Sequence, residues 1–218
     1  MPKALIFDFD GLILDTEVPI YEAWQENFRA HGHDLPIEIY AQCVGSTIGR
    51  FDPKQHLESL VGYSIDWKVL DEARERNALE RTNRLSPFPG IVPLLEEANR
   101  SDIPCIVASS SSRDWVEGHL NRLGLMHHFE GTRCLDDVKS PKPAPDLFLA
   151  AAKALDQDPA DAIVLEDSLN GLNAALSAGI PCVVVPNPVT AHLEFKGAAA
   201  VVPTLAGMTL SDLSQARR

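Results

Sequence analysis

Apolar residues along the chain follow two patterns, and the change from one to the other divides the molecule. Ala4-Leu5-Ile6-Phe7 is a short unbroken apolar run within Lys3 to Phe9, and comparable runs occur at Pro104 to Ala108, Ala162 to Leu165 and Cys182 to Val185. Such runs predict strands buried on both faces, because a half-buried strand alternates apolar with polar residues. Between them lie stretches of helical spacing: Arg113 to Leu123, with Val116, Leu120 and Leu123 on one face, then Ala144 to Leu155 and Ser168 to Ala178. Strands alternating with helices predict an α/β architecture, a mainly parallel sheet covered on both faces.

From Thr16 to about Ser86 this alternation stops, and the sequence is amphipathic, charged and helical. Asp66 to Leu85 carries only a thin apolar stripe from Trp67, Leu70 and Ala73, which predicts a largely solvated helix whose charges play no part in catalysis. Tyr21, Trp24 and Phe28, at helical spacing, read as the core of this unit. Ser86-Pro87-Phe88-Pro89-Gly90 has the turn chemistry of a boundary. The expected division is a core domain of residues 1–16 and 87–218 with an inserted α-helical cap of residues 17–86. The last dozen residues read as a loosely held tail.

A formal net charge of −12 disfavours nucleic acid as a partner, since binding to a phosphate backbone rests on clustered Lys and Arg. No apolar run approaches the roughly 20 residues that span a bilayer. The opening Met-Pro-Lys lacks the pattern of a secretory signal, so a cytoplasmic protein with no membrane partner is expected. Cys43, Cys105, Cys134 and Cys182 lie far apart and suggest neither a disulfide framework nor a zinc site. His31-x-His33 and His127-His128 lack helical ligand spacing and read as surface or loop residues. The sequence demands no more than a monomer and is compatible with a dimer.

In a parallel open sheet ligands bind beyond the carboxyl ends of the strands. The first run leads into Asp8-Phe9-Asp10-Gly11, and if the chain stays extended both carboxylates fall on one side. Two close carboxylates repel unless a divalent cation sits between or beside them, and magnesium prefers a few carboxylate oxygens with water and phosphate. Gly11 lets the chain turn sharply and is counted with the candidate phosphate-binding residues. The run ending at Ala108 enters Ser109-Ser110-Ser111-Ser112 ahead of a helix, where hydroxyls and free N–H groups suit phosphate oxygens. Lys142 precedes Pro143-Ala144-Pro145-Asp146, whose prolines stiffen the loop. Ile163-Val164-Leu165 ends in Glu166-Asp167-Ser168, and Asp167 would complete a metal site. Singly, each feature has an ordinary reading as a turn, a helix cap or a loop; their ordered combination outweighs those readings.

Asp8-Phe9-Asp10-Gly11-Leu12-Ile13-Leu14-Asp15-Thr16 resembles the first motif of the haloacid dehalogenase superfamily. Ser109 resembles the second, Lys142 within Lys-Pro-Ala-Pro-Asp the third, and Glu166-Asp167-Ser168-Leu169-Asn170-Gly171 the fourth. The position and helical character of the cap are similar to those of the β-phosphoglucomutase-like and sugar-phosphate phosphatase members. The resemblance implies a Rossmann-like core and a magnesium-dependent phosphatase acting on a small phosphorylated metabolite. Asp8 is then the nucleophile that forms an aspartyl-phosphate and Asp10 the acid and base. Asp8, the Asp10 backbone carbonyl and Asp167 hold Mg2+, with Glu166 in support. Ser109, the Ser110 N–H and Lys142 hold the transferring oxygens.

Retention of Asp10 favours phosphate esters over carbon–halogen or carbon–phosphorus bonds, because the resembling dehalogenases and phosphonatases replace it. The resembling mutases carry a histidine about four residues after the Thr of the first motif, where this chain has Ile20 after Pro19. Hydrolysis therefore ranks before sugar-phosphate mutation, and a non-catalytic binding protein ranks last. Glu17, at the hinge, faces the site or stands as an exposed first-turn acid. Arg50 serves either a second anionic group or the surface. Neither is assigned, and the substrate's identity is open.

Overall fold

A computed structural model of the chain describes residues 1–45 and 51–216. Six strands, β1 (Ala4–Phe7), β2 (Cys105–Ala108), β3 (Thr132–Arg133), β4 (Ala162–Glu166), β5 (Cys182–Val184) and β6 (Ala200–Val201), form one sheet in the order β3-β2-β1-β4-β5-β6. Every pairing is parallel, with Phe7 opposite Val107 on one side and Leu165 on the other. The four strands expected from the apolar runs are the central ones. β3 and β6 are the two edges, two residues each and too short to leave a run.

Residues along each central strand alternate between two buried layers. Leu5, Phe7, Cys105, Val107, Ile163, Leu165 and Val183 face one layer, and Ala4, Ile6, Ile106, Ala108, Val164 and Val184 the other. Helices among the described residues are α1 (Glu17–Ala30), α2 (Ile37–Tyr40), α3 (Pro53–Val61), α4 (Trp67–Thr82), α5 (Ile91–Arg100), α6 (Arg113–Leu123), α7 (Asp146–Ala154), α8 (Leu169–Ala178) and α9 (Leu210–Ala216). The first layer is closed by α5, α6 and α9, the second by α7 and α8. This is the doubly covered parallel sheet that the unbroken apolar runs predict.

The end of the chain differs from the sequence reading. Leu210 and Leu213 are buried against the first layer, and the Thr209 N–H and hydroxyl both donate to Asp212, at 2.9 and 2.7 Å, capping α9. Two leucines three apart behind a Thr-x-x-Asp cap were the signal, and they fix the tail as part of the core.

Helices α1 to α4 carry their own buried cluster around Trp24, Phe28, Leu35, Tyr40 and Leu57. α4 joins it through Trp67 of the expected stripe, which packs edge-on against Trp24 at a centroid distance of 5.9 Å, and through charged contacts as well. Its buried positions are Ala78 and Thr82, the Arg74 guanidinium lies 4.3 Å from the Trp24 ring, and Arg81 bonds Glu22 at 3.0 Å and also Glu26. The charges of α4 thus attach it to α1 through cation–π and ion-pair contacts. The unit presses onto the core near residues 44 and 45. Asn170 donates to the Val44 carbonyl at 2.7 Å, and a Cβ on Gly45 would lie 2.2 Å from Ser168 Oγ.

Candidate active site

The carboxyl ends of β1, β2 and β4 meet beneath the helices α1 to α4. Asp8 follows β1 directly, its N–H bonded to the Leu165 carbonyl at 3.0 Å, and its side chain is buried. Lys142, 1% exposed, donates to Asp8 Oδ1 and to Glu166 Oε1, the latter at 2.9 Å, and its ammonium lies 4.7 Å from the Phe148 ring centroid. Burial alone would lower the lysine's pKa, but the Asp8 and Glu166 carboxylates outweigh it and hold the ammonium charged.

Glu166 is fully engaged. Its second oxygen accepts from Asp167 N at 2.7 Å, Ser168 N at 2.6 Å and Ser168 Oγ at 2.9 Å. A Cβ at position 171 would lie 1.7 Å from Glu166 Oε1, so α8 can begin this close to the carboxylate only with Gly171 there. Glu166 therefore serves to fix Lys142 and the turn that presents Asp167.

Asp167 is oriented differently. Its Oδ2 accepts from Asn187 Nδ2 at 2.6 Å, while Oδ1 is buried without a hydrogen-bond partner. Carboxylate oxygens of Asp8, Glu166 and Asp167 lie within 4.8 Å of one another. Burial, then the neighbouring carboxylates, raises the Asp167 pKa well above its usual range; burial raises that of Asp8 to about 8 despite the opposing pull of Lys142. An orphaned buried oxygen among hard donors fits an oxygen-seeking divalent cation such as magnesium, since an unpaired buried carboxylate is otherwise costly. Gly11, at φ +82°, passes so close that a Cβ would lie 2.3 Å from Asp167 Oδ2 and 2.5 Å from Asn187 Nδ2.

The ladder of β1 ends at Phe7, and Gly11, at positive φ, turns the chain so that its N–H bonds the Leu14 carbonyl at 2.8 Å. Asp8 and Asp10 both line one cavity, but different partners hold their carboxylates. The Asp10 side chain points to the serine loop and α6: Oδ2 accepts from Ser111 Oγ at 2.6 Å and Ser109 Oγ at 3.1 Å, and Oδ1 accepts from Trp115 Nε1 at 2.8 Å. Ser109 Oγ also accepts from Ser111 N at 3.0 Å. Ser110 Oγ accepts from Lys142 N at 3.3 Å and donates to the Gly45 carbonyl at 3.4 Å, tying the lysine loop to the serine loop.

Above Asp8 and Asp10 lies a cavity of about 270 Å³, walled by Glu17, Ile20, Trp24, Tyr40 and Trp115. Glu17 is 7% exposed, so the exposed alternative does not hold. Burial first, then Asp10 and Asp8, pushes its pKa up to about 8. Tyr21, Trp24 and Phe28 sit with the cluster of α1 to α4, Trp24 also lining the cavity. Arg50 lies outside the described residues. Sequence reasoning named Ser111 within the serine run but not as a partner of Asp10, and it missed Trp115 and Asn187. Asn187 follows β5 within Val-Pro-Asn-Pro, so inspection of every strand end would have found it; Trp115 left no local signal.

A family model described as haloacid dehalogenase-like hydrolase matches residues 5–185. The Bacillus subtilis protein named "Putative phosphatase YhcW" is 41% identical over 98% of this chain and 96% of its own length. Among solved structures, CbbY from Rhodobacter sphaeroides in complex with xylulose-1,5-bisphosphate is similar with a TM-score of 0.75 and 29% identity, covering 98% of this chain and 99% of that one. β-Phosphoglucomutase from Clostridium difficile is similar with a TM-score of 0.79 and 26% identity, over 100% of this chain and 97% of that one.

Proposed function

The chain belongs to the haloacid dehalogenase-like hydrolases and is a phosphatase of that family, and from that premise we propose that it hydrolyses a small sugar phosphate through an aspartyl-phosphate on Asp8 with Mg2+ as cofactor. The observation that carries this reading is the placement of Asp8, which lines the cavity while its Oδ1 is held by a buried lysine. A carboxylate held this way is oriented toward a phosphorus atom in the cavity.

An oxygen of Asp8 forms a bond to phosphorus as the bond to the substrate oxygen breaks, and Asp10 gives the departing oxygen its proton. Asp10 then takes a proton from water as the water oxygen attacks phosphorus, which breaks the bond to Asp8 and restores both carboxyl groups. Asp8, Asp167 and the Asp10 carbonyl would hold the magnesium, which neutralises charge on the transferring oxygens. Lys142 and the serine loop, including Ser109 and the Ser110 N–H, orient the phosphoryl group. Residues 17–86 act as the cap over the core of residues 1–16 and 87–218.

Two features favour a sugar phosphate and hydrolysis. The cavity combines a carboxyl group, Glu17, with aromatic walls, a suitable lining for a polyol, and the related CbbY structure holds a sugar bisphosphate. Ile20 lines the cavity where the resembling mutases carry histidine, so water is the better acceptor of the phosphoryl group.

Phosphate release from a panel of sugar phosphates, nucleoside monophosphates and p-nitrophenyl phosphate tests this, with magnesium, with chelator, and with Asp8→Asn. Expected is release that needs magnesium, is lost in Asp8→Asn and is fastest for a sugar phosphate. Release that survives in Asp8→Asn would exclude the covalent route, and release fastest for a nucleoside monophosphate would exclude the substrate class.

A further inference from the structure

Asp10 is the one carboxylate of the site whose orientation is set by hydroxyl groups and an indole rather than by the lysine or backbone. On one side are the hydroxyls of Ser109 and Ser111, which both donate and accept hydrogen bonds. On the other is the Trp115 N–H at 2.8 Å, a donor only. A hydroxyl can rotate to follow a carboxyl group through a proton transfer; an indole N–H fixes one oxygen in one place.

Trp115 is itself braced from the same turn. Its ring packs edge-on against His119, one helical turn further along α6, at a centroid distance of 4.4 Å. The His119 ring stacks on Phe9 at 6.1 Å with an interplanar angle of 24°. Phe9 is the residue between Asp8 and Asp10, so α6 grips both flanks of one turn: His119 holds Phe9 on the buried side and Trp115 holds Asp10 on the cavity side. The i, i+4 spacing of Trp115 and His119 places them on the same helix face.

We propose that Trp115 is a positioning residue for Asp10, its indole N–H fixing the carboxyl group at the orientation from which it serves the departing oxygen of the substrate. This rests on the reading of Asp10 as acid and base. Trp115 touches no reacting atom in this account; it acts through Asp10. It also lines a second crevice together with Ile20 of α1 and Arg74, Ala78 and Leu79 of α4.

A positioning role leaves a signature that loss of packing does not. Proton donation matters most when the leaving group is a poor one, so the defect must grow with the pKa of the departing alcohol. The quantity to measure is kcat/KM for p-nitrophenyl phosphate, phenyl phosphate and the best sugar phosphate of the panel, in Trp115→Phe, Asp10→Asn and the double variant. A positioned acid–base group supplies about 10²–10⁴-fold, and losing one of its three donors should cost a part of that, about tenfold, on the sugar phosphate. The loss on p-nitrophenyl phosphate should stay below about twofold, because a nitrophenolate leaves without protonation. In the Asp10→Asn background Trp115→Phe should cost nothing further, since residues acting through one another are not additive.

Trp115 is only partly buried, so the phenylalanine variant should fold; Trp115→Leu, read in the same way, guards against a local effect of the new ring. An equal loss on all three substrates, or a loss that adds to that of Asp10→Asn, would overturn the proposal while leaving Asp10 its role. If Asp10→Asn itself slows all three substrates equally, the reading of Asp10 as acid fails and Trp115's role fails with it.

Discussion

Glu17 offers a test of the site's electrostatics that does not depend on turnover. Its carboxyl group is 7% exposed, and burial together with Asp10, Asp8, Asp15 and Glu166 raises its pKa from 4.5 to about 8. A carboxyl group whose folded pKa lies above its unfolded value costs nothing below the unfolded pKa, and the cost grows as pH rises toward the folded pKa. Here the window runs from about pH 4.5 to 8. At 1.36 kcal/mol per unit, the difference in cost between pH 5 and pH 8 is about 3 kcal/mol. Glu17→Gln keeps the shape and removes the charge, so in chelator it should be more stable than the parent by about 4 kcal/mol at pH 8 and by about 1 kcal/mol at pH 5. Urea unfolding at pH 5, 6, 7 and 8 reads this directly, with the difference between variant and parent isolating the one group. Parallel stability curves for the two proteins across that range would refute the argument, since they would mean that Glu17 ionises in the folded state as freely as in the unfolded chain.

Lys142→Met leaves Asp8 and Glu166 buried without their cation; it should cost about 3–5 kcal/mol in urea unfolding and abolish phosphate release, and a loss below about 1 kcal/mol would contradict the buried pairing. Asn187→Ala removes the hydrogen bond that orients Asp167 through Oδ2, and calorimetric magnesium affinity should fall about 10–100-fold with little change in fold; an unchanged affinity would show that Asp167 needs no such support. Leu213→Ala tests the packed tail: burial of its side chain implies a loss of about 2–5 kcal/mol, whereas a free tail would lose nothing.

What could be read from the sequence was local. Each central strand is a contiguous apolar run because both its faces are buried, and the acids and serines at the strand ends stand out because they interrupt those runs. The fourth-motif acids were legible for the same reason, and the lysine through the prolines that flank it and its motif. The edge strands were not, since two residues carry no period. Nor was the charged part of the attachment of α4: an arginine lying on a tryptophan from another helix has the same sequence signature as a solvated charge. The orientation of Asp10 was hidden for a related reason. An alternation rule applies only while the strand continues, and the strand ends at Phe7, after which Ser111 and Trp115, about a hundred residues away, decide where the carboxylate points.

The balance of charge in the site bears on the proposed cofactor more strongly than any single distance. Asp8, Asp10, Glu17, Glu166 and Asp167 converge on one place, and among the described residues Lys142 is the ammonium that answers them. The protein as a whole adds to the imbalance, with a formal net charge of −12. A phosphate ester brings further negative charge into a buried setting where like charges are poorly screened. Lys142 cannot compensate alone, because it is already committed to two carboxylates. The site therefore favours uptake of positive charge with its substrate or before it, as protons on the carboxyl groups whose pKa burial raises or as a cation. Asp167 Oδ1, buried and without a partner, would receive that charge, and Asp8 would share in holding a divalent ion there. On this reading the acidity that would repel the substrate is what retains the ion that attracts it, and removing the ion should abolish substrate binding as well as turnover.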